Sequence, residues 1–193
     1  MFKNLHGYIE ALIEEHGNIG IFLGMFLESS ILPIPSELVL ITAGALGLPV
    51  TSIVVFGSIG STLGASVGYY IGRKGGRPFI NHYGKYLLIT ESKLITAETW
   101  VKKYGNITVL VSRIIPFIPF KVFSISAGIL HMNFPSFILY TFLGMIPRTF
   151  VLAYLGKTIM EYKVQGLILL VIIGIGIYVF YLIFKKFRHD DVF

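Results

Sequence analysis

Residues 28–38 read ESSILPIPSEL, which sets Glu28, Glu37, Pro33 and Pro35 inside an otherwise apolar segment. IGIFLGMFL comes before this stretch and VLITAGALGL after it. A carboxylate at the middle of a bilayer costs about 2.5–3.5 kcal/mol on insertion scales, and proline breaks a helix. A straight membrane-crossing helix would put its least suitable residues at its centre. The pattern instead predicts a segment that enters the membrane, turns at Pro33-Ile34-Pro35 and returns to the side it came from.

Composition sets the membrane as the context. Of 193 residues, 54% are hydrophobic and 13% charged, with a mean hydropathy of +0.77; soluble domains are about a quarter charged. The chain has no cysteine, which rules out disulfides, thiolate nucleophiles and cysteine metal sites. MFKNLHGYIEALIEEHG does not read as a signal peptide, because it lacks an unbroken apolar core and carries acids where a cleavage site belongs. The formal net charge is +6, and the clustering of that charge indicates topology. Arg73, Lys74, Arg77, Lys85, Lys93, Lys102 and Lys103 form one basic region, and Lys185, Lys186 and Arg188 form another. Such clusters beside spans follow the positive-inside rule, so no nucleic-acid partner is expected.

The organisation read from the chain is a single membrane domain, 1–193. It comprises an amphipathic helix (1–16), a first repeat (17–73), a basic cytoplasmic connector (74–104), a second repeat (105–157) and a C-terminal transmembrane helix (163–186). The first helix carries Phe2, Leu5, Ile9, Leu12 and Ile13 on one face and Lys3, Asn4, Glu10 and Glu14 on the other, which predicts that it lies in the interface. Residues 51–72 and 136–154 read as spans, the second carrying Pro147 and Arg148; the uncharged run 166–184 reads as another. Residues 18–48 divide at the prolines into two arms of about 14 residues. At roughly 1.5 Å per residue each reaches about 21 Å, short of a hydrocarbon core of roughly 30 Å. Residues 105–130 repeat the plan around Pro116-Phe117-Ile118-Pro119.

Shifting the chain by 84 residues lays 34–73 on 118–157 without a gap, with eleven identities in forty positions. Pro35 meets Pro119, Ala43-Gly44 meets Ala127-Gly128, and Gly60 meets Gly144. Each unit is a hairpin followed by one crossing helix, so the second unit is inverted relative to the first, as in secondary transporters with a midplane site. The predicted fold class is therefore an all-α integral membrane protein. It is built on an inverted repeat of re-entrant helical hairpin plus transmembrane helix, with an N-terminal amphipathic helix and an extra C-terminal transmembrane helix. Counting crossings puts 73–104 and the C-terminus on one side, with ten Lys and Arg against Lys3, Lys157 and Lys163 opposite; that side is expected to be cytoplasmic.

Five ionisable residues fall in apolar segments: Glu28, Glu37, Arg113, Lys121 and Arg148. Left unpaired they would cost about 12–17 kcal/mol, so they must pair, bind a ligand or line a wet cavity. The 84-residue shift places Glu37 opposite Lys121, with acids on one hairpin and bases on the other, and predicts reciprocal pairing at the tips. Structural bridging and function both account for such charges. The second arm of each hairpin starts after a proline and presents free N–H groups and a positive dipole end, which with nearby cations suits an anion such as phosphate. Arg113, Lys121 and Arg148 are the candidate phosphate-binding residues, the two arginines as a bidentate pair and Lys121 as a point charge. Glu28 and Glu37 are candidates for charge pairing and proton coupling, and Pro33, Pro35, Pro116 and Pro119 are the turn residues. Gly60, Gly64, Gly68 and Gly72 form a smooth stripe, read as packing rather than a dimer interface; a homo-oligomer is left open. Tyr69 and Tyr70 are expected at the interface. Enzyme motifs are not found, His131 reads as a loop residue, and no metal or cofactor is expected.

These residues resemble the DedA family, also described as SNARE-associated or VTT-domain membrane proteins. The resemblance covers about residues 16–157. It rests on Glu28 with Pro33-x-Pro35-Ser36-Glu37, Gly64-x3-Gly68-Tyr69-x2-Gly72-Arg73, Arg113-x2-Pro116, Ala127-Gly128, and Met132 with Phe137 and Gly144. It implies a bacterial plasma-membrane transporter with two opposed re-entrant hairpins. The implied cargo is a lipid, either the polyprenyl phosphate carrier of envelope synthesis (undecaprenyl phosphate) or a phospholipid, with dependence on protons. Its functional positions carry over to Glu28, Glu37 and Arg113. Many members have a second arginine where this chain has Pro119, and the basic residue here is Lys121. The alternatives are a proton-coupled small-solute or cation exchanger and a non-transporting membrane organiser.

Overall fold

The computed structural model describes residues 2–30, 35–83, 90–115 and 120–161, and these form eight helices and no strand. Pro33, Pro116, Pro119 and the predicted C-terminal span lie outside the described residues. Helix α1 (Phe2–His16) ends at Gly17, whose φ of +52° turns the chain into α2 (Asn18–Ser30). A side chain at Gly20 would run into the backbone of Leu12 and Ile13, so α1 and α2 meet closely. Ile9 and Ile13 are buried in a cluster with Ile21, Met25, Val39 and Leu40. This part of the apolar face of α1 is covered by protein, which differs from the interfacial placement expected of it.

Helix α3 (Ser36–Ala45) starts after Pro35, which keeps an extended conformation as its N-cap. Helices α6 (Asn106–Ile114) and α7 (Phe120–Ile129) are of similar length. The longest of these four short helices, α2 with 13 residues, reaches roughly 20 Å. Among the described residues, two helices are long and apolar enough to cross a bilayer, in α4 (Val50–Tyr83) over Val50–Pro78 and in α8 (Phe134–Glu161). Their outer faces expose Val55, Ile59 and Leu63, and Leu139, Leu143, Phe150 and Tyr154. Side chains of this kind suit contact with lipid. Helix α8 continues through Pro147, and beside it the Thr149 hydroxyl donates to the Met145 carbonyl at 2.9 Å.

Backbone features recur at the 84-residue shift. Helices α3 and α7 begin and end 84 residues apart, and α4 and α8 begin 84 apart. After α3, Gly47 N–H donates to Gly44 O at 3.1 Å and Leu48 N–H to Ala43 O at 3.3 Å. After α7, His131 N–H donates to Gly128 O at 3.0 Å and Met132 N–H to Ala127 O at 2.9 Å. Gly47 has φ +78°, and His131, its counterpart, has φ +52°. His131 therefore adopts a left-handed turn that glycine provides without strain in the first half.

The long helices exchange partners. Helix α4 packs on α2 from its own half and on α7 from the other, while α8 packs on α6 from its own half and on α3 from the other. The glycine stripe makes this possible. Gly60 and Gly64 lie against the α2 backbone at Phe22 and Phe26, whereas Gly68 and Gly72 lie against Ser124 and Ile125 of α7. The stripe is therefore filled within the chain.

In the basic segment, α4 runs on past a break at Gly76 (φ +58°), and α5 (Glu91–Tyr104) follows a Thr90 N-cap. Leu94, Ala97 and Val101 of α5 pack against Val122, Phe123 and Ile125 of α7, and Arg77 bonds Glu98 at 2.6 Å. Apolar positions recurring at helical spacing in α5 explain why it docks instead of staying in solvent. Tyr69 was expected at the interface but is fully buried, its hydroxyl donating to the Met132 carbonyl and accepting from Arg73 at 3.0 Å. Tyr70 is exposed.

Candidate functional site

The charged residues lie at the ends of the short helices and midway along α8. Glu28, in the last turn of α2, is 2% exposed. Its Oε2 accepts from the Ser29 hydroxyl at 2.8 Å, and its Oε1 lies 3.9 Å from Lys121 Nζ near the start of α7. Glu37, in the first turn of α3, has a side chain 42% exposed. Its Oε1 accepts from Arg148 Nη2 at 2.7 Å, and the same nitrogen donates to Ser36 Oγ at 2.8 Å. Arg148 is buried, and its Nε and Nη1 have no hydrogen-bond partner among the described residues.

Arg113, in the last turn of α6, is fully enclosed. Its Nη1 donates to the Phe120 carbonyl at 2.8 Å, and its Nη2 to Ser124 Oγ at 2.8 Å and Thr141 Oγ1 at 3.5 Å. Gly144 of α8 makes room for it, since a Cβ there would stand 2.7 Å from Arg113 Cβ. Arg113 thus ties α6 to α7 and to α8.

The two ion pairs do not follow the pairing expected from the alignment. Glu37 bonds Arg148 in place of Lys121, and Lys121 faces Glu28. The cause is the packing of the long helices: α8 lies on α3, so Arg148 reaches Glu37 there. At the 84-residue shift Arg148 corresponds to Gly64, which has no side chain to make the reciprocal contact. Both Nη atoms of Arg113 donate to protein oxygens.

Sequence reasoning passed over the neutral groups that complete the site: Ser29, Ser36, Phe120, Ser124 and Thr141. Serine beside each acid, in Glu28-Ser29 and Ser36-Glu37, was the available signal, because a buried charge needs hydrogen bonds as well as a counterion. Charge pairs joining short helices inside a protein with lipid-suited outer faces can hold the fold together. They can also exchange an internal partner for an external ion.

The sequence profile described as the VTT domain matches residues 34–158. This chain belongs to the VTT-domain, or DedA, family. It is a membrane protein, as the family and its apolar helices indicate. A Bacillus subtilis relative named uncharacterized membrane protein YkoX is 40% identical over 176 residues, covering 86% of this VTT-domain chain and 79% of its own length. Undecaprenyl phosphate transporter A of the same organism is 39% identical over 146 residues, covering 72% of the chain and 70% of its own length. A Lactococcus lactis relative named alkaline phosphatase-like protein is 31% identical over 157 residues, covering 77% and 73%. No solved structure matches the chain.

Proposed function

We propose that this VTT-domain protein moves a phosphate-bearing lipid, undecaprenyl phosphate or a phospholipid, across the bacterial plasma membrane. The observation that carries the reading is Arg148. It is buried, keeps two nitrogens without partners and is held by a glutamate that is itself partly exposed. A guanidinium in that state can accept an entering phosphate by changing partners, and arginine matches phosphate oxygens in charge and geometry. The name of the Bacillus subtilis transporter supports the choice of lipid.

In this reading 17–73 and 105–157 are inverted repeats, and their hairpins enter and leave on one side. The short lengths of α2, α3, α6 and α7, the repeated turn hydrogen bonds and the exchanged packing of α4 and α8 support it. Lys121 supplies a second cation for the phosphate. Arg113 contributes positive charge from behind and fixes the second hairpin in place of making the clasp expected of it. Glu37 and Glu28 hold Arg148 and Lys121 between cycles and take up protons when phosphate replaces them. The lipid tail stays in the bilayer beside the apolar outer faces. The basic end of α4, α5 and the C-terminus lie at the cytoplasm.

Translocation of labelled undecaprenyl phosphate in proteoliposomes tests the proposal, comparing wild type with Arg148→Gln. Truncating one member of a buried, hydrogen-bonded charge pair costs about 2–5 kcal/mol, so the variant is expected to lose about thirtyfold or more in rate. Wild-type translocation by a folded Arg148→Gln protein overturns the assignment. Release of inorganic phosphate from the lipid would favour an enzyme instead. His131 is exposed in the α7–α8 turn with Nδ1 on the Ile129 carbonyl.

A further inference from the structure

We propose that Phe120 sets how tightly phosphate is held, its ring compensating both buried arginines between transport events and giving up Arg148 to the arriving anion. The inference rests on the phosphate-lipid reading above and deepens it. Phe120 opens α7 and is buried. The guanidinium carbon of Arg113 lies 5.2 Å from its ring centroid and that of Arg148 lies 5.4 Å away. Three elements therefore converge on one ring: α6 and α8 each bring an arginine, and α7 brings the aromatic. Its backbone also takes part, because the Phe120 carbonyl accepts from Arg113 Nη1.

Two like charges beside one apolar ring need compensation. Arg148 has Glu37, whereas Arg113 donates to a carbonyl and to hydroxyls. The negative face of an aromatic ring attracts a cation, and more strongly where water is excluded. An aliphatic residue at this position would leave the arginines under-compensated, and phosphate would bind too firmly to leave. A carboxylate would hold them so well that phosphate could not enter. Transport requires an anion bound well enough to arrive and loosely enough to depart, and an aromatic face supplies this intermediate strength. Phe120 is thus a positioning and affinity-setting residue acting through Arg113 and Arg148.

The test measures dissociation constants for undecaprenyl phosphate and, separately, inorganic phosphate on the purified full chain in lipid nanodiscs. Phe120→Leu keeps an apolar side chain and removes the ring face; it is expected to tighten both ligands about tenfold while slowing translocation. Phe120→Tyr is expected to stay within about twofold of wild type, and Phe120→Trp, with the stronger ring face, to bind several-fold more weakly. A merely structural role predicts the opposite sign for Leu, weaker binding together with lower thermal stability. Weaker or unchanged binding in a folded Phe120→Leu protein overturns the inference. If that variant does not fold, tighter or equal binding by Phe120→Trp overturns it instead. A shift for the lipid without one for inorganic phosphate also overturns it, since the ring would then be reading the tail. Failure of the wild-type protein to bind either probe takes down the phosphate reading and this inference with it. Normal wild-type binding with no ordered series removes this inference alone.

Discussion

The two halves of the molecule share a backbone and differ in charge. Helices α3 and α7 coincide at the 84-residue shift, the turns after them repeat the same hydrogen bonds, and Gly44 and Gly128 face the equivalent carbonyls of Ala153 and Tyr69. The charged groups around Arg148 and Arg113 do not repeat. The first half supplies Glu28 and Glu37, and the second supplies Arg113, Lys121 and Arg148, the last where the first half has Gly64. Close packing of backbones requires the same small residues in both places. A site for an anion requires one sign of charge in excess, and a strictly symmetric pair of halves would repeat its acids along with its bases. Backbone features repeat at the 84-residue shift, whereas the charges around Arg148 do not.

The sharpest way to break this comparison is to remove charge from each half in turn. Arg113→Ala takes three hydrogen bonds and a large enclosed side chain from the second half, and is expected to lower stability by about 3–5 kcal/mol, read as a loss of resistance to thermal unfolding in detergent. Glu28→Gln in the first half retains shape and part of the Ser29 contact. Its expected stability loss is smaller, about 1–3 kcal/mol, with translocation lost. Equal stability losses in the two variants would mean that the second half is not the better anchored one.

A smaller effect tests the sameness of the scaffold. Gly44→Ala and Gly128→Ala each push a Cβ against a backbone carbonyl of the opposite half. Overpacking of this kind costs about 1–3 kcal/mol, and the two losses are expected to agree within about 0.5 kcal/mol in parallel unfolding measurements. A large effect at one site and none at the other would show that the halves pack differently. The smallest effect lies in the turns. Gly47→Ala at φ +78° is expected to lose about 1 kcal/mol, while His131→Gly at φ +52° gains about 0.5 kcal/mol, both visible as opposite shifts in unfolding temperature.

Much of the frame was legible in the chain because it is written in residues with few alternatives. Pro35 marks the start of α3, and Gly44, Gly60, Gly72 and their counterparts mark the close approaches. The apolar runs mark α4 and α8. The pairing of charges was not legible, because it depends on which long helix lies against which hairpin. Arg148 meets Glu37 only because α8 packs on α3 of the opposite half, and that exchange leaves no local trace around residue 148. The docking of α5 on α7 was masked by its lysines, although Leu94, Ala97 and Val101 carried the signal at helical spacing. Tyr69 was misplaced because a tyrosine near a helix end suits an interface and a buried hydrogen bond equally well.

The central claim is that Arg148 is an anion site placed in the buried middle of α8, and not one end of a structural staple to Glu37. Exchanging the pair, Glu37→Arg together with Arg148→Glu, decides between these most directly when translocation of undecaprenyl phosphate and thermal stability are measured on the same sample. The account predicts that stability recovers relative to either single variant while translocation stays absent, because the guanidinium then sits at the exposed rim and a carboxylate occupies the interior. Recovery of translocation together with stability would contradict it.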